Sequence, residues 1–260
     1  MRTLWLAVAL AAVVGCVSAC GAPSIEGVQE VRAEAPRAPA GTDDQLRAVV
    51  AGDREFALGL YHQLSSIEDG NFFYSPYSIA SALSMAYAGA RANTAAQLDT
   101  VLGAGDDPAA WHAGRNGLDL ALAAARPVPF GRPPLKLEAT NGIFGQSGYD
   151  FEAEFLRVLA ANYGAGLQTV DYRTAPEQAR GRINAWVNAR TNGRIRELLG
   201  TLDPLTRLVL VNAIYFKAEW VNEFDANRTG DRPFNLIEGG SVDVSMMSAE
   251  LDARYAAGDG

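Results

Sequence analysis

The side chains in this sequence that could do chemistry are scattered, and they do not form a complete catalytic set. Residues Gly145 to Gly148 resemble the turn that presents a nucleophilic serine, but the second glycine comes one residue too early for that motif. His62 and His112 lie in segments with a helical or alanine-rich pattern, where a lone histidine is usually a surface or packing residue. Ser147 therefore carries only a weak hydrolase hypothesis, and the sequence predicts a protein that is not an enzyme.

Other site chemistries are also disfavoured. The sequence contains no phosphate-binding loop that ends in Lys-Ser or Lys-Thr, no HExxH pair and no calcium-loop spacing. Both cysteines, Cys16 and Cys20, lie in the first 20 residues, so the later sequence contains no disulfide and no cysteine metal site. A net charge of −8 without a run of basic residues argues against nucleic acid and other polyanions. We predict no cofactor, no metal and no nucleic-acid partner.

One apolar stretch organises the rest of the chain: Leu208 to Trp220, with the sequence LVLVNAIYFKAEW. Its first half is rich in β-branched and aromatic residues, which is typical of a strand buried on both faces. Asn212 lies in the middle of it, and a buried carboxamide is costly unless its donors and acceptors are paired. We predict that Ser75 and Ser78 supply the partners. The alternative is that Asn212 faces water at a bulge.

Ser75 and Ser78 lie at the start of a predicted helix. A serine oxygen can accept a hydrogen bond from a free amide at a helix start, and proline at the next position, Pro76, loses nothing by lacking an amide hydrogen. Apolar residues then recur at helical spacing until Gly89. Ser75 could therefore be a plain helix cap, a polar partner of Asn212, or both.

The remaining elements mix helices and strands without a regular alternation. Predicted helices cover residues 46–66, 75–89, 94–103, 108–125, 151–163 and 174–191. Predicted strands cover residues 71–74, 135–144, 167–172, 208–216, 232–236 and 242–247. This order predicts an α+β fold in which helices pack on a central mixed β-sheet.

The first 20 residues have the pattern of a targeting segment, with a short positive start, an apolar stretch and small residues before a cysteine. The pattern resembles a bacterial lipoprotein signal, with Cys20 as the lipidated residue and Cys16 as the alternative. Ordinary secretion, with cleavage after Ala19 or Ala22, is the competing interpretation. Either interpretation predicts an extracytoplasmic protein, at the cell envelope if it is lipid-anchored.

Composition then divides the chain after this segment into two parts. Residues 21–45 contain three prolines, mixed charge and no periodicity, which predicts a disordered tether. Residues 46–260 have the apolar content of one globular domain. We predict that the tether holds this domain near a membrane surface.

Three motifs in the globular part together resemble one family, the serpins. They occur in the family's order and span roughly residues 45 to 250. The matching residues are Asn71 to Ile79 with Ala82, Leu83, Met85, Gly89, Ala90, Thr94 and Gln97; then Asn184 to Val187 with Thr191 to Gly193 and Ile195; then Leu210 to Lys217 with Trp220, Phe224, Thr229, Phe234, Met246 and Met247.

The resemblance implies roles for four of these residues. Ser75, Ser78 and Asn212 correspond to the family's shutter, a polar cluster beneath the point where the central sheet opens. The histidine of that cluster belongs to a part of the family's sequence that is not among these residues. Trp220 corresponds to the aromatic residue at the breach, the top of the opening. Ala218 replaces the usual glycine, which affects only a local turn.

The resemblance also implies a function, inhibition of serine or cysteine proteases. A protease cleaves an exposed reactive loop, which then inserts beside the strand at Leu208 to Phe216. The 260 residues contain no segment that matches this loop, so we expect that the chain as given does not inhibit by itself. The alternative is a serpin-fold surface lipoprotein that acts as a non-inhibitory binding module. In either case an open sheet edge predicts self-association.

Overall fold

A computed structural model describes residues 29–31, 35–124, 136–220 and 222–250. The predicted targeting segment, with Cys16 and Cys20, lies outside the described residues. The strands are β1 (Gln29–Val31), β2 (Lys136–Gln146), β3 (Leu167–Val170), β4 (Leu208–Lys217), β5 (Gly230–Asn235) and β6 (Ser241–Met246). The α-helices are α1 (Asp43–Ser65), α2 (Pro76–Gly89), α3 (Ala92–Leu102), α4 (Pro108–Ala124), α5 (Ala153–Val158) and α6 (Pro176–Arg190). A π-helix (Leu159–Tyr163) continues α5, and a 3-10 turn covers Ala226–Arg228.

The main sheet is mixed, with the strand order β1-β3-β2-β4. Strand β2 runs parallel to β3 and antiparallel to β4, and β1 is antiparallel to β3. Strands β5 and β6 form a separate antiparallel hairpin whose turn uses Gly239 and Gly240 at positive φ. The α+β prediction, with helices packed on a mixed sheet, is confirmed.

Strand β4 is covered on both faces along its first half. Val209 and Val211 point to α6, where they join a cluster with Trp186 and Val187. Leu208 and Leu210 point to the other face, where Met85 of α2 and Ile143 of β2 lie. Further along, Phe216 is 67% exposed. The prediction of a strand buried on both faces is thus correct for the first half of β4, because apolar residues alternate toward two different helices.

The helices on the α2 side form a second layer around Val49, Phe56, Tyr87, Leu102 and Trp111. Helices α1 and α4 approach each other so closely in this layer that a Cβ atom at Gly114 would lie only 2.5 Å from the carbonyl oxygen of Gln45. A glycine at position 114 therefore sets the distance between the two helices.

Two predicted boundaries need correction. The tether predicted for residues 21–45 ends earlier, because α1 begins at Asp43 and Thr42 forms a capping box with Gln45. Residues 35–41 also have ordered contacts with α4, and residues 29–31 form β1. The predicted strand at residues 71–74 pairs with no strand in the described part of the chain; instead the Tyr74 hydroxyl donates a hydrogen bond to the carbonyl of Ala57.

Candidate functional site

The candidate site begins at the first turn of α2, a helix that packs against β4. The Ser75 side chain caps this helix, because its Oγ accepts a hydrogen bond from the Ser78 amide at 3.3 Å and Pro76 occupies the first turn. The predicted helix start is confirmed. Ser78 is buried, and its own hydroxyl has no hydrogen-bond partner among the described residues.

Asn212 lies on the α2 face of β4. It follows Leu208 and Leu210 at a spacing of two, and both leucines contact the cluster formed with α2. Its side chain finds its partner within the sheet, since Nδ2 donates to Oδ1 of Asn141 at 2.7 Å. Asn141 is the residue directly opposite in the β2–β4 ladder. The alternative of a water-facing bulge does not fit, because the pairing is regular on both sides of Asn212.

The predicted partners of Asn212 therefore differ from the observed one. In the described part of the chain, Asn212 makes no hydrogen bond to Ser75 or Ser78, although α2 packs on β4. Sequence reasoning missed Asn141, and the only available signal was a second asparagine in the middle of another predicted strand. The register that pairs the two residues is a long-range property that neither segment shows alone.

Two buried polar oxygens lie on these facing elements without partners, Oγ of Ser78 and Oδ1 of Asn212. A buried polar atom that lacks a hydrogen bond costs on the order of 1–3 kcal/mol. Each of the two packed elements, α2 and β4, therefore contains a buried oxygen that could accept a further hydrogen bond.

Trp220 lies three residues beyond the end of β4. The residue is 63% exposed, and its ring packs edge to face against Phe224, with the ring centroids 5.5 Å apart. The structure thus brings Ser75 and Ser78 together and joins Asn212 to Asn141, while Trp220 is in a separate, exposed aromatic pair. The breach assignment of Trp220 stays a prediction.

A network of charged and aromatic side chains links α2 to α4 and α4 to α1. The Tyr77 hydroxyl, between the two serines in sequence, donates to Oδ1 of Asp119 at 3.0 Å. Burial raises the pKa of Tyr77, and the Asp119 carboxylate raises it further, so the hydroxyl keeps its proton. Arg115 of α4 forms a buried ion pair with Asp53 of α1 at 2.6 Å. Burial raises the pKa of Asp53 despite the opposing effect of Arg115.

This arrangement contains no catalytic set in the described residues. Ser147 lies in the turn after β2, where its amide donates to the carbonyl of Val170, and no hydrogen bond joins its hydroxyl to a histidine. His112 instead contacts the hydroxyl of Tyr163 through Nδ1 at 2.6 Å. Across the described ranges, no three His, Cys, Asp or Glu side chains are grouped to hold a metal ion. None of the helices found there is both long and apolar enough to cross a membrane. Within the described part of the chain, the buried side-chain oxygens of Ser78 on α2 and Asn212 on β4 remain without hydrogen-bond partners.

Comparisons with known proteins agree on one family. A family model described as Serpin (serine protease inhibitor) matches residues 51–260. "Leukocyte elastase inhibitor" of Bos taurus is 42% identical over 205 residues, which cover 78% of this chain and 52% of that protein. An uncharacterized serpin-like protein of Thermococcus kodakarensis is 36% identical over 217 residues, which cover 84% of this chain and 49% of that protein.

A solved structure gives the same result for the fold. Ovalbumin from emu (Dromaius novaehollandiae) superposes with a TM-score of 0.69 at 32% identity, over 77% of this chain and 54% of that one. The chain spans about half the length of the relatives it matches. The family predicted from the three motifs is confirmed, and the chain belongs to the serpins.

Proposed function

We propose that this chain is part of a protein that inhibits serine or cysteine proteases, and that these residues supply the sheet that accepts an inserted strand. The observation that carries the proposal is the family match over residues 51–260, supported by 42% identity to a protein named as an inhibitor of leukocyte elastase. In this proposal the chain contributes an acceptor surface, and it contributes no catalytic group.

The acceptor surface is the free edge of β4. Strand β4 is ten residues long and pairs only with β2 in the described part of the chain, so its other side presents unpaired backbone amides and carbonyls. A strand added there gains main-chain hydrogen bonds along this edge.

The test compares protease inhibition by the 260-residue chain with inhibition by any longer product of the same reading frame. The reading frame is sequenced beyond codon 260, and any longer product is assayed beside the 260-residue chain. Residual activity of an elastase-type serine protease and of a papain-type cysteine protease is measured with peptide substrates, and a metalloprotease serves as the control. We expect the longer product to inhibit at least one of the first two, and the 260 residues alone to inhibit none. A longer product that leaves both proteases fully active would overturn the proposal.

The second candidate is a surface lipoprotein that uses this fold as a non-inhibitory binding module. The observation that favours it is that the described residues form three buried clusters. A self-sufficient module should be a monomer with one cooperative transition. The inhibitor proposal instead expects residues 21–260 to associate through the edge of β4.

Size-exclusion chromatography with light scattering separates the two candidates. We expect residues 21–260 to form oligomers, and Ile214→Lys on β4 to shift them toward monomer by placing a charge at the edge. Val242→Lys on the exposed strand β6 is the matched control, and it should leave the oligomers unchanged. If residues 21–260 are monomeric and unfold in urea in one sharp transition, the binding module is favoured.

A further inference from the structure

Residues 35–41, directly before α1, form a segment that we call the N-terminal strap. It is built from Ala, Pro, Arg and Gly and buries no large apolar side chain, so its composition does not explain why it is ordered. Its order comes from a groove between α4 and the end of the π-helix Leu159–Tyr163, where it makes long-range hydrogen bonds.

Arg37 is the main anchor of the strap. Its Nε donates to Oδ1 of Asn116 at 2.8 Å, and its Nη2 donates to the carboxylate of Asp119 and to the carbonyl of Asn162 at 3.5 Å. One guanidinium thus binds acceptors from two different elements, which uses its planar fork of donors. Gly164 leaves room for it, because a Cβ atom there would lie 3.0 Å from Nη1 of Arg37.

Asn116 recognises the backbone of the strap from α4. This residue is fully buried, and its Nδ2 donates to the carbonyls of Ala38 at 2.9 Å and Pro39 at 2.8 Å. Its Oδ1 accepts from Arg37. Among the described residues, the Asn116 side chain forms hydrogen bonds only with residues of the strap. A buried asparagine is costly without such bonds, so this residue type suits α4 only while the strap is bound.

The π-helix supplies the other wall of the groove. The carbonyls at the C-terminal end of a helix lack partners within it, and a cation is favourable there. The carbonyl of Ala161 accepts from the Ala38 amide at 2.7 Å, and the carbonyl of Asn162 accepts from Arg37. The strap therefore caps this helix with an amide and a guanidinium.

The strap also leads to the outer edge of the main sheet. Upstream of it, β1 pairs antiparallel with β3, so that Gln29 lies opposite Thr169 and Val31 opposite Leu167. β3 would otherwise be the edge strand on this side, and an uncovered edge is a template for pairing with other chains. Only three residues of β1 form this pairing, so the firmer attachment of the segment is the strap.

We propose that the groove between α4 and the π-helix is a binding site for an extended segment that carries an arginine, and that the strap occupies it reversibly. Asn116, Asp119 and Asn162 bind the guanidinium group of the segment. Asn116 also donates hydrogen bonds to two successive backbone carbonyls. The Arg37 and Asp119 side chains are about one-third exposed (30% and 31%), so salt weakens their pairing. Release of the strap frees the outer edge of β3 while the core stays folded.

Hydrogen exchange on the full chain tests this, followed by mass spectrometry of segments 35–41, 167–170 and 183–187. We expect Arg37→Ala to speed exchange of the first two segments at least tenfold and to leave segment 183–187, in α6, unchanged. Arg37→Lys should lie in between, because an ammonium group cannot make the forked contact. Arg47→Ala is the matched control, since Arg47 pairs with Asp44 on the exposed side of α1, and it should change none of the segments.

A peptide of residues 29–41 tests whether the groove binds in trans. We expect the labelled peptide to bind the Arg37→Ala protein in fluorescence anisotropy and to restore protection at 167–170. The same peptide with Arg37→Ala should not bind. Failure of the intact peptide to bind would overturn the proposal. So would a strap that exchanges freely in the unsubstituted protein, or an Arg37→Ala variant in which all three segments speed up equally.

Discussion

At the scale of single residues, His112 is an ionisable side chain that the fold keeps neutral. It lies buried on α4, with its Nδ1 2.6 Å from the hydroxyl of Tyr163, and the rings of Tyr87 and Tyr163 each lie 5.7 Å away. Burial lowers the pKa of His112 to about 4, and the nearby positive charge of Arg115 adds to this effect. Sequence reasoning predicted a surface or packing role for His112, and the structure gives it a packing role.

This neutral histidine predicts a pH dependence of stability. The unfolded chain binds the proton near the ordinary value of 6.5, but the folded chain binds it only near pH 4. Stability should therefore fall as the pH drops from about 6.5 to about 4, by on the order of 3 kcal/mol from this group. In urea unfolding at pH 7 and pH 4, His112→Gln should lose much less stability between the two pH values than the unsubstituted protein.

The control for that experiment is His62→Gln, since His62 lies exposed on α1. Its dependence on pH should match that of the unsubstituted protein. Equal losses of stability in the His112 variant and the unsubstituted protein would show that burial of His112 does not keep it neutral.

At the scale of secondary-structure elements, one face of the ladder between β2 and β4 contains a single polar pair, and the other pairs on that face are apolar. Asn141 and Asn212 lie opposite each other, between Ala139 with Ile214 on one side and Ile143 with Leu210 on the other. An amide pair tolerates burial only in the register that joins the two residues, because a slip by one residue would leave both unpaired. The rung therefore specifies the alignment of the two strands.

The two members of the rung should be coupled in their effect on the free energy of unfolding. Asn212→Leu leaves the Asn141 carboxamide without its partner, at a cost on the order of 1–3 kcal/mol. The double variant with Asn141→Leu should cost less than the sum of the two single variants, because the atoms interact directly. The urea midpoint of unfolding measures both effects, and Asn235→Leu on the exposed strand β5 is the control. A midpoint unchanged by Asn212→Leu would contradict this role.

The elements differ in how far sequence could predict them. Helix α2 and strands β4, β5 and β6 were predicted with small boundary shifts, because their signals are local periodicity and turn residues. Helix α3 begins at Ala92, two residues before the predicted start at Thr94, and the Arg91 side chain does not cap it. The Asn141–Asn212 rung and the strap were not predicted, because both depend on pairs that are distant in sequence.

At the scale of the whole molecule, the strap changes the expected distance between the domain and its predicted anchor. If Cys20 carries a lipid, only residues 21–28 separate it from the first residue of β1. Eight extended residues reach at most about 30 Å, since each adds about 3.3–3.6 Å. The folded part would then lie close to the membrane surface with the outer edge of its sheet toward it.

We expect the mature protein to partition into detergent and to carry an acyl mass on Cys20, because Val17 to Cys20 follows an apolar stretch. Intact-mass spectrometry of the membrane fraction measures this. Cys20→Ser should release the protein to the soluble fraction, and Cys16→Ser should not. A mature N-terminus without cysteine and without added acyl mass would exclude lipidation and favour ordinary secretion.

The contact between Arg37 and Asn162 also sets an order of events during synthesis. The two residues are 125 positions apart, and Arg37 leaves the ribosome first. At roughly 5–20 residues per second, the acceptor at position 162 is made about 6–25 s after the guanidinium that binds it. The N-terminal end is therefore accessible to processing enzymes before the groove that holds it exists, so any cleavage or acylation near Cys20 can precede closure of the strap.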